Sequence, residues 1–175
     1  QDEENFEVIV INDGGYDVVD IIKKLDDDRI IYKQHSENRG LSEARNTGLK
    51  NAKGKYITYL DDDDRYYENH LSTLASFLEN NPEYQVAYTD AFTSIQKYLN
   101  GEYVETKKEL RYSHDFNYDR ILYENFIPVI CIMHRKDCID HVGAFDPILK
   151  RTEDWDLWIR MSRVFKFAHI NKTTC

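Results

Sequence analysis

The chain has 175 residues, of which 41% are hydrophobic and 13% aromatic. That is enough apolar material for one domain with a real core, and it excludes a disordered segment. The formal net charge is −9, which argues against nucleic acid as a partner, because a polyanion needs a basic face.

Phe6-Glu7-Val8-Ile9-Val10-Ile11 reads as a buried strand closed by the turn Asn12-Asp13-Gly14-Gly15. Val18, Ile21, Ile22 and Leu25 then recur at helical spacing, and Arg29 to Lys33 makes a second strand. The loop Asn38-Arg39-Gly40 leads into a helix from about Leu41 to Ala52. Tyr56 to Leu60 is a third strand, followed by a predicted helix over 66–80, a strand over 84–89 and a polar hairpin or extended excursion over 92–112 with Gly101 at its turn. A short helix over 118–124, a strand over 128–134, a helical turn over 135–142, the loop Gly143 to Pro147 and a final helix over 153–165 complete the order. Strand alternating with helix in this way predicts an α/β fold, a mostly parallel sheet flanked by helices. No repeat or linker interrupts it, so residues 1–175 read as a single domain. Both ends read as cut, so the sequence is expected to be a fragment of a longer chain.

The stretch Tyr56-Ile57-Thr58-Tyr59-Leu60-Asp61-Asp62-Asp63-Asp64 organises the rest. A buried strand runs straight into four consecutive carboxylates, at the end of a sheet where open α/β folds bind ligands. Adjacent carboxylates repel by about 1 kcal/mol per pair at ~4 Å even in water. A divalent cation removes that cost, and magnesium-like ions are commonly held by one or two carboxylates plus substrate phosphates. A solvated acidic turn is the plain alternative.

Two polar residues sit where apolar ones belong. On the last helix, Leu157, Trp158, Met161, Val164 and Phe165 form one stripe, with Asp154 at its middle and Glu153 at its border. A carboxylate on a buried face is expensive unless it is paired or opens on a cleft. Alternatively, Glu153 and Asp154 only complement the helix dipole behind Thr152. On the helix from Leu41, Arg45 lies within a small-residue stripe of Leu41, Ala44, Gly48, Leu49 and Ala52. Its guanidinium either ion-pairs inside the fold or reaches an anion. Asp13 is ordinary turn chemistry that gains interest from its place at a strand end.

Together these blocks resemble the GT-A glycosyltransferases, specifically the inverting enzymes of family 2. The likeness covers about residues 5–165. It rests on five stretches in order: Phe6 to Gly14; Asn38-Arg39-Gly40 through Gly48; Gly54-Lys55-Tyr56-Ile57 through Asp64; Gly143-Ala144-Phe145-Asp146; and Glu153-Asp154-Trp155-Asp156-Leu157-Trp158-Ile159-Arg160. The resemblance implies a nucleotide-sugar donor, with UDP by family habit, and a saccharide, lipid-linked or protein acceptor. It implies that Asp13 contacts the base, that Arg45 lies near the nucleotide, and that Asp62 adds a nucleotide contact. Asp61 and Asp63 would form the DxD pair that holds ribose and diphosphate through Mn²⁺ or Mg²⁺. Asp154 would be the general base. The family's first strand and helix, which precede the strand at Phe6, are absent from this sequence.

Three rival readings follow from the same residues. A Mg²⁺-dependent sugar nucleotidyltransferase shares the layout, but its Gly-rich basic loop is not seen. A non-catalytic sugar- or nucleotide-binding module of the same fold is a second, and a flavodoxin-like phosphoacceptor domain a third. The cysteines, Cys131, Cys138 and Cys175, form neither a metal-spaced cluster nor an even disulfide set. With no signal peptide and no apolar run of membrane-spanning length, the expected location is cytoplasmic, any membrane association residing in parts outside this chain.

Overall fold

The computed structural model describes residues 1–99 and 101–175. The chain gathers into two compact units, one of Gln1–Asp2, Thr58–His134 and Phe165–Cys175, the other of Glu3–Ile57 and Arg135–Val164.

The second of these begins with β1 (Val8–Asn12), α1 (Val19–Leu25) and β2 (Ile30–Gln34). The two strands pair in parallel from Val8↔Ile30 to Asn12↔Gln34, as a strand, crossover helix and strand must. Gly14 is fixed by space as much as by its φ of +79°. A Cβ there would come within 2.5 Å of the backbone at Glu37 and Asn38, so only glycine lets the two loops meet. α2 (Leu41–Asn51) lies against β1, its Gly48 facing the Ile11 side chain. α4 (Cys138–Val142) and α5 (Glu153–Ser162) complete the unit. Leu157, Trp158 and Met161 of α5 are fully buried, together with Cys138 and Phe145.

The other unit is built on β4 (Val86–Leu99). Its first half is covered on both edges, by β6 (Ile132–Arg135) antiparallel and by β7 (Phe167–Thr173) in parallel. Its second half runs out as a hairpin with β5 (Glu102–Tyr112) and stays exposed. α3 (His70–Asn80) buries Leu74 and Leu78 completely. β3 (Tyr56–Thr58) is where the chain passes from one unit to the other.

The α/β class and the element order agree with the sequence reading, but the strand pairing is mixed. Parallel pairs join β1 to β2 and β4 to β7, whereas β4 meets β5 and β6 antiparallel. The cause is the hairpin: once β4 returns through β5, the chain re-enters the sheet from the opposite direction. The helix expected from residue 66 starts only at His70. The 128–134 strand opens with a 3-10 turn over Val129–Cys131. Val164 is exposed, because α5 stops at Ser162 before the stripe is completed.

Candidate active site

The acidic turn emerges from β3 through Tyr59, which is buried and whose hydroxyl lies 2.7 Å from His134 Nε2. Asp61 is half-buried and Asp62, Asp63 and Asp64 are exposed. The turn is closed by the Asp64 N–H donating to the Asp61 carbonyl at 3.1 Å. Tyr66 holds its base: the hydroxyl donates to the Tyr59 carbonyl and lies 3.0 Å from Thr58 Oγ1, which donates to the Ile132 carbonyl at 2.8 Å. Burial pushes the Tyr66 hydroxyl well above its ordinary range, so it remains a donor. Its ring stacks on buried His70 at 3.8 Å.

All donors in this turn are carboxylate oxygens, the ligand type that suits Mn²⁺ or Mg²⁺. Their crowding shows at Asp64, whose carboxyl is raised by partial burial first and then by the charges of Asp63 and Asp61. Among the described residues no group of three or more His, Cys, Asp or Glu side chains is assembled to hold a metal ion. A cation held by Asp61 and Asp63 would have to draw the rest of its shell from elsewhere, a substrate's oxygens included.

Asp13, Arg45 and Asp154 belong to the other unit. Asp13 ends β1 and is fully engaged. Its Oδ1 lies 2.6 Å from His35 Nδ1 and accepts the Arg39 N–H at 3.0 Å, while Oδ2 accepts the Gly40 N–H at 2.8 Å. Burial alone would raise this carboxyl, but the two backbone donors and His35 more than offset it and hold it below its ordinary value. His35 continues the chain to Thr47 Oγ1 at 2.8 Å on α2. A lone histidine gave no signal in the sequence. The Asn12↔Gln34 register, which brings the next residue to the strand end beside Asp13, is what recruits it.

The Arg45 side chain is buried and paired. Its Nη1 donates to Glu153 Oε1 at 2.5 Å, with the two side chains 8% and 7% exposed. The guanidinium also lies over the Phe145 ring at 5.5 Å. Glu153, placed at the border of the stripe by its spacing, is thus the buried acid of α5, and Asp154 beside it is half-buried. Asp154 Oδ1 accepts the Trp155 N–H at 2.7 Å. Glu153, Asp154 and Asp156 all lie in the first turn of α5, where the helix dipole favours negative charge. Just before them, Thr152 adopts a left-handed φ of +61°.

The neighbouring loop is fastened to α2 and α5. Asn46 donates to the Phe145 carbonyl at 2.8 Å and accepts the Phe145 N–H at 3.0 Å. Arg160 donates to the carbonyls of Val142 at 2.6 Å and Ala144 at 2.9 Å, and pairs with Asp156 at 2.7 Å.

Comparison with known proteins gives the family and the fold. The family model described as glycosyl transferase family 2 matches residues 1–142. An uncharacterized glycosyltransferase of Rickettsia prowazekii is 32% identical over 167 residues, covering 94% of this chain and 52% of the relative. The uncharacterized glycosyltransferase YwdF of Bacillus subtilis is 26% identical over 166 residues, covering 94% of this chain and 60% of its own length. The chain thus spans about half the length of these relatives. Among solved structures, S. aureus TarS 1-349 superposes with a TM-score of 0.73 at 20% identity, over 97% of this chain and 50% of that one. A crystal of the same protein in complex with UDP-GlcNAc gives 0.69 at 19% identity. The fold is therefore the GT-A fold of that protein, and the chain belongs to glycosyl transferase family 2.

Proposed function

We propose that the full protein transfers a sugar from a nucleoside diphosphate donor, a UDP-sugar, to an acceptor hydroxyl with inversion, assisted by Mn²⁺ or Mg²⁺. The observation that carries this reading is the carboxylate-only turn at the end of β3, in a chain of this family. TarS, which shares the fold, has been crystallised with UDP and with UDP-GlcNAc, and this supports a uridine nucleotide as the first donor to try.

Asp61 and Asp63 are the residues that would hold the cation and the donor's diphosphate, and Asp62 adds a contact to the nucleotide. A bound divalent ion supplies Lewis acid stabilisation of the departing diphosphate. Asp13 serves the donor by fixing the loop Asn38 to Gly40, since its carboxylate already has three donors. Asp154 takes the proton of the acceptor hydroxyl as the new bond forms, a contribution of about 10²–10⁴-fold. It is half-buried, and the charge of its neighbour Glu153 is offset by Arg45. The acceptor is a saccharide, a lipid-linked sugar or a protein side chain.

The test is Asp154→Asn in the full-length polypeptide, with UDP release followed across a set of UDP-sugars in the presence of Mn²⁺. Turnover should fall at least about 100-fold while UDP binding measured by calorimetry stays the same. Undiminished turnover would remove Asp154 from the mechanism.

A further inference from the structure

We infer that Glu153 and Arg45 are positioning residues for Asp154, with Arg45 acting through Glu153 and not as a ligand of the nucleotide. The inference rests on Asp154 being the base. Its structural ground is the buried pair between α2 and the first residue of α5, 2.5 Å long and 8% and 7% exposed.

An ion pair hidden to this degree contributes little net stability over an apolar pair, because desolvation consumes most of the attraction. What it does supply is direction. The guanidinium and carboxylate must both be satisfied in one geometry, so the start of α5 cannot rotate or slide along α2 without stranding a charge. Asp154 is the next residue on that helix, and its orientation is set by the same turn. The segment before it is held independently at three points, by Ser42 Oγ donating to the Leu149 carbonyl at 3.3 Å and by the two Asn46 bonds to Phe145. The α2 side of all three bonds is supplied by Ser42 and Asn46. Thr152, in a left-handed conformation that a β-branched residue rarely takes, keeps that shape because the helix start beyond it is clamped.

The same N-terminal part of α2 is also tied to the ends of β1 and β2. The Asp13 carboxylate holds Arg39 and Gly40 at its entrance, and His35 reaches Thr47. α2 therefore links the turn after β1 to the start of the helix that carries the proposed base. An error of about 1 Å at a reacting group costs about 10²-fold in rate, so a base on a short helix needs such a strut.

The experiment is a double-mutant cycle in the full-length polypeptide. Glu153→Asp keeps the charge and withdraws it by one methylene; Arg45→Lys keeps the opposite charge and loses the planar fork. Each is measured alone and in the Asp154→Asn background, reading kcat from UDP release with the best-turned-over UDP-sugar, UDP affinity by calorimetry, and folding by thermal melts. Expected is a fall in kcat of about 10²-fold with UDP affinity unchanged, and no further fall when Asp154 is already Asn. An equal fall in both backgrounds, or a kcat like that of the parent, overturns the positioning role. So does loss of the folded state in both single variants, which would make the pair a matter of stability only. Weakened UDP binding with kcat retained would return Arg45 to the nucleotide. If Asp154→Asn alone leaves turnover intact, the base assignment itself has failed, a result the cycle separates from the others.

Discussion

Asp13 Oδ1 lies 2.6 Å from His35 Nδ1 while the same carboxylate accepts the N–H groups of Arg39 and Gly40, so one side chain joins the ends of β1 and β2 to the entrance of α2. Asp13→Ala removes every one of those bonds and leaves two backbone donors unsatisfied. The expected loss of stability is about 2–4 kcal/mol, given ~1.5–3 kcal/mol for each hydrogen bond to a charged group and partial replacement by water. Denaturant midpoints check the total, and hydrogen exchange at Arg39 and Gly40 shows whether the loop is what loosens.

The same carboxylate predicts an acid limb. Its value in the fold lies below the ordinary one, so the stability it contributes is complete above about pH 4, the unfolded value, and is lost as pH falls through the lowered value in the fold. Melting temperatures taken between pH 5 and pH 3 should drop more steeply for the parent than for Asp13→Asn. Parallel curves would show that Asp13 contributes nothing to acid sensitivity.

Gly14→Ala should be among the costlier single-methyl additions in the chain. Its φ of +79° and a Cβ only 2.5 Å from backbone atoms of Glu37 and Asn38 combine strain with overlap. About 1–3 kcal/mol is expected. Gly101→Ala, also at positive φ but with nothing within 4 Å of the added carbon, should cost less, and the difference between the two in urea unfolding isolates the overlap.

Arg160 gathers the carbonyls of Val142, Gly143 and Ala144 while pairing with Asp156. Lysine keeps the charge but cannot serve several acceptors from one plane. Arg160→Lys should lower stability by about 1–2 kcal/mol and raise proteolytic cleavage near residues 143–152. Unchanged cleavage would show that the ties from Ser42 and Asn46 hold the loop without Arg160.

For the acidic turn the prediction concerns cation and nucleotide together. Asp63→Ala should abolish the Mn²⁺-dependent part of UDP binding in calorimetry, and EDTA should do the same to the parent. Equal affinity with and without Asp63 would take the metal away from this turn.

Much of this was legible in the residues, and the exceptions share a cause. The run into Asp61 to Asp64, the loop at Asn38 to Gly40 and the stripe of Leu157, Trp158 and Met161 are local patterns, and local patterns survive folding. The buried acid of α5 was harder to see. Helical spacing puts Asp154 on the apolar face and Glu153 at its edge, but burial at a helix start depends on what packs over its end, and Arg45 comes from 108 positions earlier. His35 was invisible for the same reason: its partners are Asp13 and Thr47, 22 and 12 positions away. The hairpin over 92–112 was legible, but its continuity with the strand over 84–89 was not, because the outer half of β4 is a ribbon whose exposed residues alternate weakly.

Both tryptophans of the chain, Trp155 and Trp158, fall on α5, one half-buried and the other sealed off completely. Red-edge excitation of the unlabelled protein therefore illuminates a single helix. Its emission becomes a built-in optical gauge that sits one residue from Asp154, and ligand titrations or stopped-flow mixing read the surroundings of that aspartate without any dye.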